Sequence, residues 1–83
     1  MKAYVTKYAL TVGIERLEGE VEGGMFMVIR NGFMNHYHGE GREWHRTLDS
    51  ALAQAEKLRE RKLVALRKQQ EKLEKMVFEC REE

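Results

Sequence analysis

Residues 25–38, MFMVIR-NG-FMNHYH, decide the reading of this chain. Two six-residue runs rich in β-branched, aromatic and methionine side chains flank Asn31-Gly32. That pair takes positive φ easily and so suits a two-residue type I′ turn, which predicts a β-hairpin. Such a turn sets Arg30 opposite Phe33. Phe26, Val28, Arg30, Phe33, Asn35 and Tyr37 then share one face, and Met25, Met27, Ile29, Met34, His36 and His38 share the other. Both faces carry apolar side chains. The sheet is therefore expected either to curl toward a half-barrel or to be covered by a helix on one side and a partner on the other.

Upstream of the hairpin, residues 3–9 (AYVTKYA) have strand composition, and residues 12–21 supply a second strand after a turn near Leu10-Thr11. Downstream, Gly39-Glu40-Gly41 reads as a flexible loop leading to Trp44-His45-Arg46. Thr47 follows as an N-cap whose hydroxyl can accept a first-turn amide, with Asp49 placed at the positive helix end. From Leu48 the period changes. At 100° per residue, Leu48, Ala51, Leu52, Ala55, Leu58, Leu63, Leu66, Leu73, Met76 and Val77 fall in one stripe, with neither proline nor glycine to interrupt it. A helix of roughly 45 Å results, against about 17–20 Å for a short strand, so it must overhang the sheet or bend. The expected architecture is α+β: a short curled antiparallel sheet of three to five strands over 1–46, one long amphipathic helix over 47–78, and a frayed tail over 79–83.

All seven glycines, and every aromatic residue except Phe78, lie before the helical half. With 83 residues the chain supports one modest core and one domain, and self-association is one way to enlarge that core. Charged residues form 35% of the chain yet cancel to a net +1, so the global basicity of a general nucleic-acid binder is missing. The lone Cys80 favours a reducing, cytoplasmic setting. No stretch approaches the roughly 20 apolar residues that cross a bilayer, and the N-terminal run lacks the apolar core of a cleavable signal.

No residue set reads as catalytic. His36 and His38 point to one side of a strand, and with His45 they form the only metal-ligand candidate, without the cysteine pair or acidic triad that would complete it. Glu20, Glu40 and Glu43 have no sign of the burial that would tune them for acid–base work. Cys80 sits beside Glu79 and Glu82, which disfavour a thiolate. Gly39-Glu40-Gly41 lacks the spacing and lysine of a phosphate loop. Tyr4, Tyr8, Phe26, Phe33, Tyr37 and Trp44, interleaved with Lys2, Lys7, Arg30, Arg42 and Arg46, match the stacking-plus-charge pattern of single-strand binders, although a small domain needs such rings for its core. The basic residues of the helix alternate with glutamates and read as a solvated face.

The segments Lys7-Tyr8-Ala9-Leu10-Thr11 with Gly13-Ile14, Tyr37-His38-Gly39-Glu40-Gly41 and Trp44-His45-Arg46-Thr47 resemble a group of small uncharacterised phage and prophage proteins. Ala51, Ala55-Glu56, Arg59, Lys62, Leu66 and Lys72-Leu73-Glu74-Lys75 extend the resemblance over nearly the whole chain. It implies a mobile-element origin and a binder of a host protein, and carries no activity, cofactor or catalytic residue. The leading expectation is a non-enzymatic module that binds another protein, with a homodimer through the C-terminal helix. A nucleic-acid-binding accessory protein is the alternative. The partner-facing residues expected are Arg30, Asn31, Tyr37, Glu40 and Arg42 around the hairpin and loop, and Arg59, Lys62, Gln69 and Gln70 in the helix.

Overall fold

The computed structural model describes residues 1–82. Six strands and two helices follow in order: β1 (Lys2–Val5), α1 (Ala9–Val12), β2 (Glu15–Glu18), β3 (Glu20–Glu22), β4 (Met25–Arg30), β5 (Phe33–His38), β6 (Trp44–His45) and α2 (Leu48–Glu74). The strands form two three-stranded antiparallel sheets, ordered β2-β1-β6 and β3-β4-β5. The α+β architecture matches the sequence reading, with six strands divided between two sheets.

The β4–β5 hairpin has the expected register, Arg30 opposite Phe33 and Phe26 opposite Tyr37. Asn31 and Gly32 both have positive φ, 52° and 80°, as a type I′ turn requires. Gly23 and Gly24 make a second such turn between β3 and β4, with φ of 58° and 78°. Residues 12–21 do not form one strand. Val12 closes the short α1, and the strand that follows breaks at Gly19, where the chain leaves the first sheet and enters the second. A side chain at Gly19 would lie 2.2 Å from the Met27 carbonyl oxygen and 3.0 Å from the Phe26 ring, so the backbones meet there more closely than any Cβ allows.

The core lies between the sheets. Ala3 and Val5 of β1, Phe26 and Val28 of β4, Tyr37 of β5 and Trp44 of β6 are buried together, with Leu17 and Val21 packed around them. Trp44 stacks on Phe26 with ring centroids 5.6 Å apart, and its indole Nε1–H donates to the Gly24 carbonyl at 3.0 Å. The rings of Phe26, Tyr37 and Trp44 are thus core rather than a stacking platform, whereas Tyr8 and Phe33 remain exposed.

Thr47 caps α2 as expected, its hydroxyl accepting the Ser50 amide at 3.2 Å. The helix runs 27 residues, about 40 Å at 1.5 Å per residue, and packs against β6, β1 and α1. Only Ala51 is buried, Gln54, Ala55 and Leu58 are half-buried, and every residue from Arg59 to Glu74 is exposed. The radius of gyration of 18.8 Å, against about 12 Å for a compact chain of this length, records that overhang. α2 ends at Glu74 rather than at 78. Nothing packs on its last turns, and Val77 and Phe78 are weaker helix formers than the residues before them. Met76 and Val77 therefore leave the predicted stripe. Residues 79–82 have no regular structure, and Glu83 lies outside the described residues.

Candidate interaction surface

The first sheet is covered on its inner face and, at β1 and β6, by α2 on the other, where Lys2, Arg16 and Glu18 stay exposed. Ala3, Val5 and Trp44 point into the core, while Thr6 and His45 sit on the side that meets α2. The second sheet has one covered face. Phe26, Val28 and Tyr37 point inward, and on the opposite face Ile29, Met34 and His36 are exposed and Met27 is half-buried. The sequence offered a half-barrel or a helix-covered sheet. The helix instead covers the other sheet and leaves the hairpin's outer face open.

On that open face a groove of about 450 Å³ is lined by Met1, Met27, Ile29 and Met34, by the Gly19 backbone, and by Glu18 and Glu20 at its rim. Ile29 is 70% and Met34 50% exposed, which is unusual for apolar side chains placed side by side on a sheet. The N-terminal ammonium donates to Glu18 at 2.8 Å and holds that carboxyl below its ordinary pKa. Glu20 and Glu22 of β3 make no ion pair among the described residues. The groove thus pairs an apolar floor with an acidic rim.

The residues expected to face a partner fall into two separate groups. Arg30 and Asn31 are exposed at the hairpin end, Arg30 bound to Glu15 at 2.9 Å. Glu40 pairs with Arg46, and the Arg42 guanidinium packs over Gly39 while its carbonyl accepts the Thr6 hydroxyl at 2.7 Å. The 39–43 segment is a hydrogen-bonded turn rather than a flexible loop, closed by Gly41 N–H to the Trp44 carbonyl at 2.8 Å. Tyr37, expected among the exposed partner-facing residues, is instead 5% exposed and packs on Phe26 in the core. Arg59, Lys62, Gln69 and Gln70 are exposed on the overhanging helix, where Arg59 pairs with Glu56 and Gln70 donates to Glu74 at 2.9 Å. Cys80 is exposed in the tail.

The three histidines do not meet. His36 and His38 lie on one side of β5 with ring centroids 6.4 Å apart, but His45 is 1% exposed and both of its ring nitrogens are engaged. Its Nε2 is 2.9 Å from Thr6 Oγ1 and its Nδ1 2.8 Å from Ser50 Oγ. The Thr6 hydroxyl donates to the Arg42 carbonyl, so it accepts from Nε2–H, and Nδ1 accepts the Ser50 hydroxyl. This chain of bonds joins β1, β6, the turn and the first turn of α2. It has the outline of a serine–histidine pair, yet a neutral threonine stands where a carboxylate would stabilise an imidazolium, and the ring is sealed from substrate. We read it as the tie that seats α2. Thr6 and His45 alone are 39 residues apart in sequence, so no local pattern could disclose it.

Burial pushes the His45 pKa below its ordinary 6.5, with a hydrogen bond to the Arg42 backbone acting the other way. The unfolded chain therefore binds the proton more readily. The tie's contribution is whole above about pH 6.5 and is lost as pH falls from there toward the folded-state pKa. Urea midpoints measured from pH 8 to pH 5 should fall more steeply for the native chain than for His45→Asn; parallel curves would refute the assignment.

No protein-family model matches this chain, and no curated protein or solved structure matches it.

Proposed function

We propose that this chain is a non-enzymatic protein-binding module whose docking surface is the open face of the β3-β4-β5 sheet. The observation that carries the reading is Ile29 and Met34, both exposed, side by side in a groove beside Glu20, which makes no ion pair among the described residues. An apolar floor with an acidic rim favours an occupant that presents an apolar side chain flanked by lysine or arginine. The overhanging helix is the weaker surface, because Arg59 and Gln70 already satisfy themselves along it. Burial of Phe26, Tyr37 and Trp44 removes three rings from the nucleic-acid alternative. The resemblance to phage-type proteins suits a host protein as the occupant, with inhibition of a defence or regulatory complex as one outcome of binding.

The test is selection of a random displayed peptide library on the immobilised chain. Selected peptides should carry an apolar anchor next to basic residues, and should bind Ile29→Asp at least about tenfold more weakly, a loss of about 1.4 kcal/mol. Binding to Leu66→Glu/Leu73→Glu should be unchanged. Peptides indifferent to Ile29→Asp but lost on the helix variant would move the surface to α2. Salt-sensitive binding of an oligothymidine, with no peptide selected, would favour the nucleic-acid alternative.

A further inference from the structure

The β5 strand is an open edge, and its composition sets it apart from the other sheet edges of the fold. The β2 edge reads Glu15-Arg16-Leu17-Glu18, the β3 edge Glu20-Val21-Glu22, and the β6 edge is two residues long. Charge and shortness are the usual means by which a sheet edge is kept from pairing with another chain. β5, Phe33-Met34-Asn35-His36-Tyr37-His38, is six residues long and carries no lysine, arginine, aspartate, glutamate or proline, in a chain that is 35% charged.

The backbone groups on that edge follow from the register. Arg30 and Phe33 bracket a two-residue turn and form a hydrogen-bonded pair, so by alternation Asn35 and Tyr37 also direct their amides to β4. Met34, His36 and His38 direct theirs outward. The His38 amide confirms this by donating to Glu43 Oε1 at 2.9 Å, which leaves Met34 and His36 with open N–H and C=O groups.

We infer that β5 pairs antiparallel with β5 of a second copy about a two-fold axis at Asn35, joining the two outer sheets into one of six strands. In this register Met34 faces His36 of the second copy and the reverse, each pair able to exchange both backbone bonds. No like charges meet. Phe33, 74% exposed although it projects on the core side of its sheet, comes opposite Tyr37 of the second copy and continues the aromatic layer of that core. Shifting the axis to His36 would require the His38 amide that Glu43 already occupies, and would leave Phe33 opposite Gly39. A self-complementary edge of this kind closes as a dimer and does not propagate. The inference is independent of what the groove binds; it sets two grooves side by side on one face.

The test is solution mass by sedimentation over a concentration series. The native chain should show twice its 9.8 kDa at the upper end. His36→Pro removes only an outward N–H and should be a folded monomer, and His36→Lys, which adds an edge charge without touching the backbone, should weaken pairing at least tenfold. Leu66→Glu/Leu73→Glu should remain a dimer. In a Cys80→Ser background, Asn35→Cys should oxidise to a disulfide-linked dimer, because non-hydrogen-bonded partners sit about 4.5 Å apart at Cα. Met34→Cys, displaced two residues along the strands from its own counterpart, should not. A native chain monomeric into the millimolar range, or a dimer that survives both His36 variants and disperses in the helix variant, would overturn the inference.

Discussion

Trp44→Ala is expected to unfold the chain or bring it to the edge of unfolding. The indole is fully buried at the centre of the only aromatic cluster among the described residues, stacked on Phe26 and bonded through Nε1 to the Gly24 carbonyl. Truncating a buried tryptophan costs about 3–5 kcal/mol in lost transfer energy and residual cavity, and here the Gly24 carbonyl loses its donor as well. A domain of this length has about 4–12 kcal/mol in total. The variant's urea midpoint, followed by far-ultraviolet circular dichroism, should fall by at least about 2 M, given a slope near 1 kcal/mol per molar for so small a protein. Trp44→Phe should fall between the two, because it keeps ring stacking and loses the hydrogen bond. A Trp44→Ala variant within about 1 kcal/mol of the native chain would mean that the two sheets do not share the core described here.

Gly19→Ala is the second change expected to damage the fold, and by a different route. The added methyl would fall 2.2 Å from the Met27 carbonyl oxygen, a backbone atom that cannot swing aside, and 3.0 Å from the buried Phe26 ring. Relief requires β2 and β3 to lift from β4, which opens the core at the corner where the chain changes sheets. Overpacking of this kind costs about 1–3 kcal/mol and more where backbone must move, so a loss at or above the upper figure is expected. Gly23→Asn is the matched control. Its φ of 58° lies where asparagine is tolerated, and open space surrounds it, so a change within about 1 kcal/mol is expected in the same urea titration. Equal effects at the two glycines would remove the close approach as the reason for Gly19.

These two residues also mark how far the sequence could be read. The β4–β5 hairpin, its register and the Thr47 cap were legible because each is written within a few neighbouring residues: Asn31-Gly32 between two apolar runs, and a threonine ahead of a helical stripe. The division of faces was legible too, but which face turns inward was not. That choice depends on β1 and Trp44, distant in sequence, and so the pattern within the hairpin does not show that Tyr37 belongs to the core. Gly19 carried no local sign of a sheet crossing, since its constraint comes from Met27 and Phe26. The groove was half legible. Met27, Ile29 and Met34 fell on one face in the sequence reading, while its openness follows from α2 lying on the other sheet.

The overhang of α2 makes that helix two materials in one rod. From Leu48 to Leu58 the backbone bonds are clamped by β1, β6 and α1 and can open only when the body of the fold opens. Beyond Arg59 the bonds are held by the helix alone, over a span close to the 12–15 residues at which an isolated helix is marginal in water. The distal turns can therefore unwind and rewind many times within one lifetime of the folded sheets. Amide exchange along this single element should grade from the slow regime of global unfolding to the fast regime of fraying, so that its far end answers to temperature and solvent while the core does not.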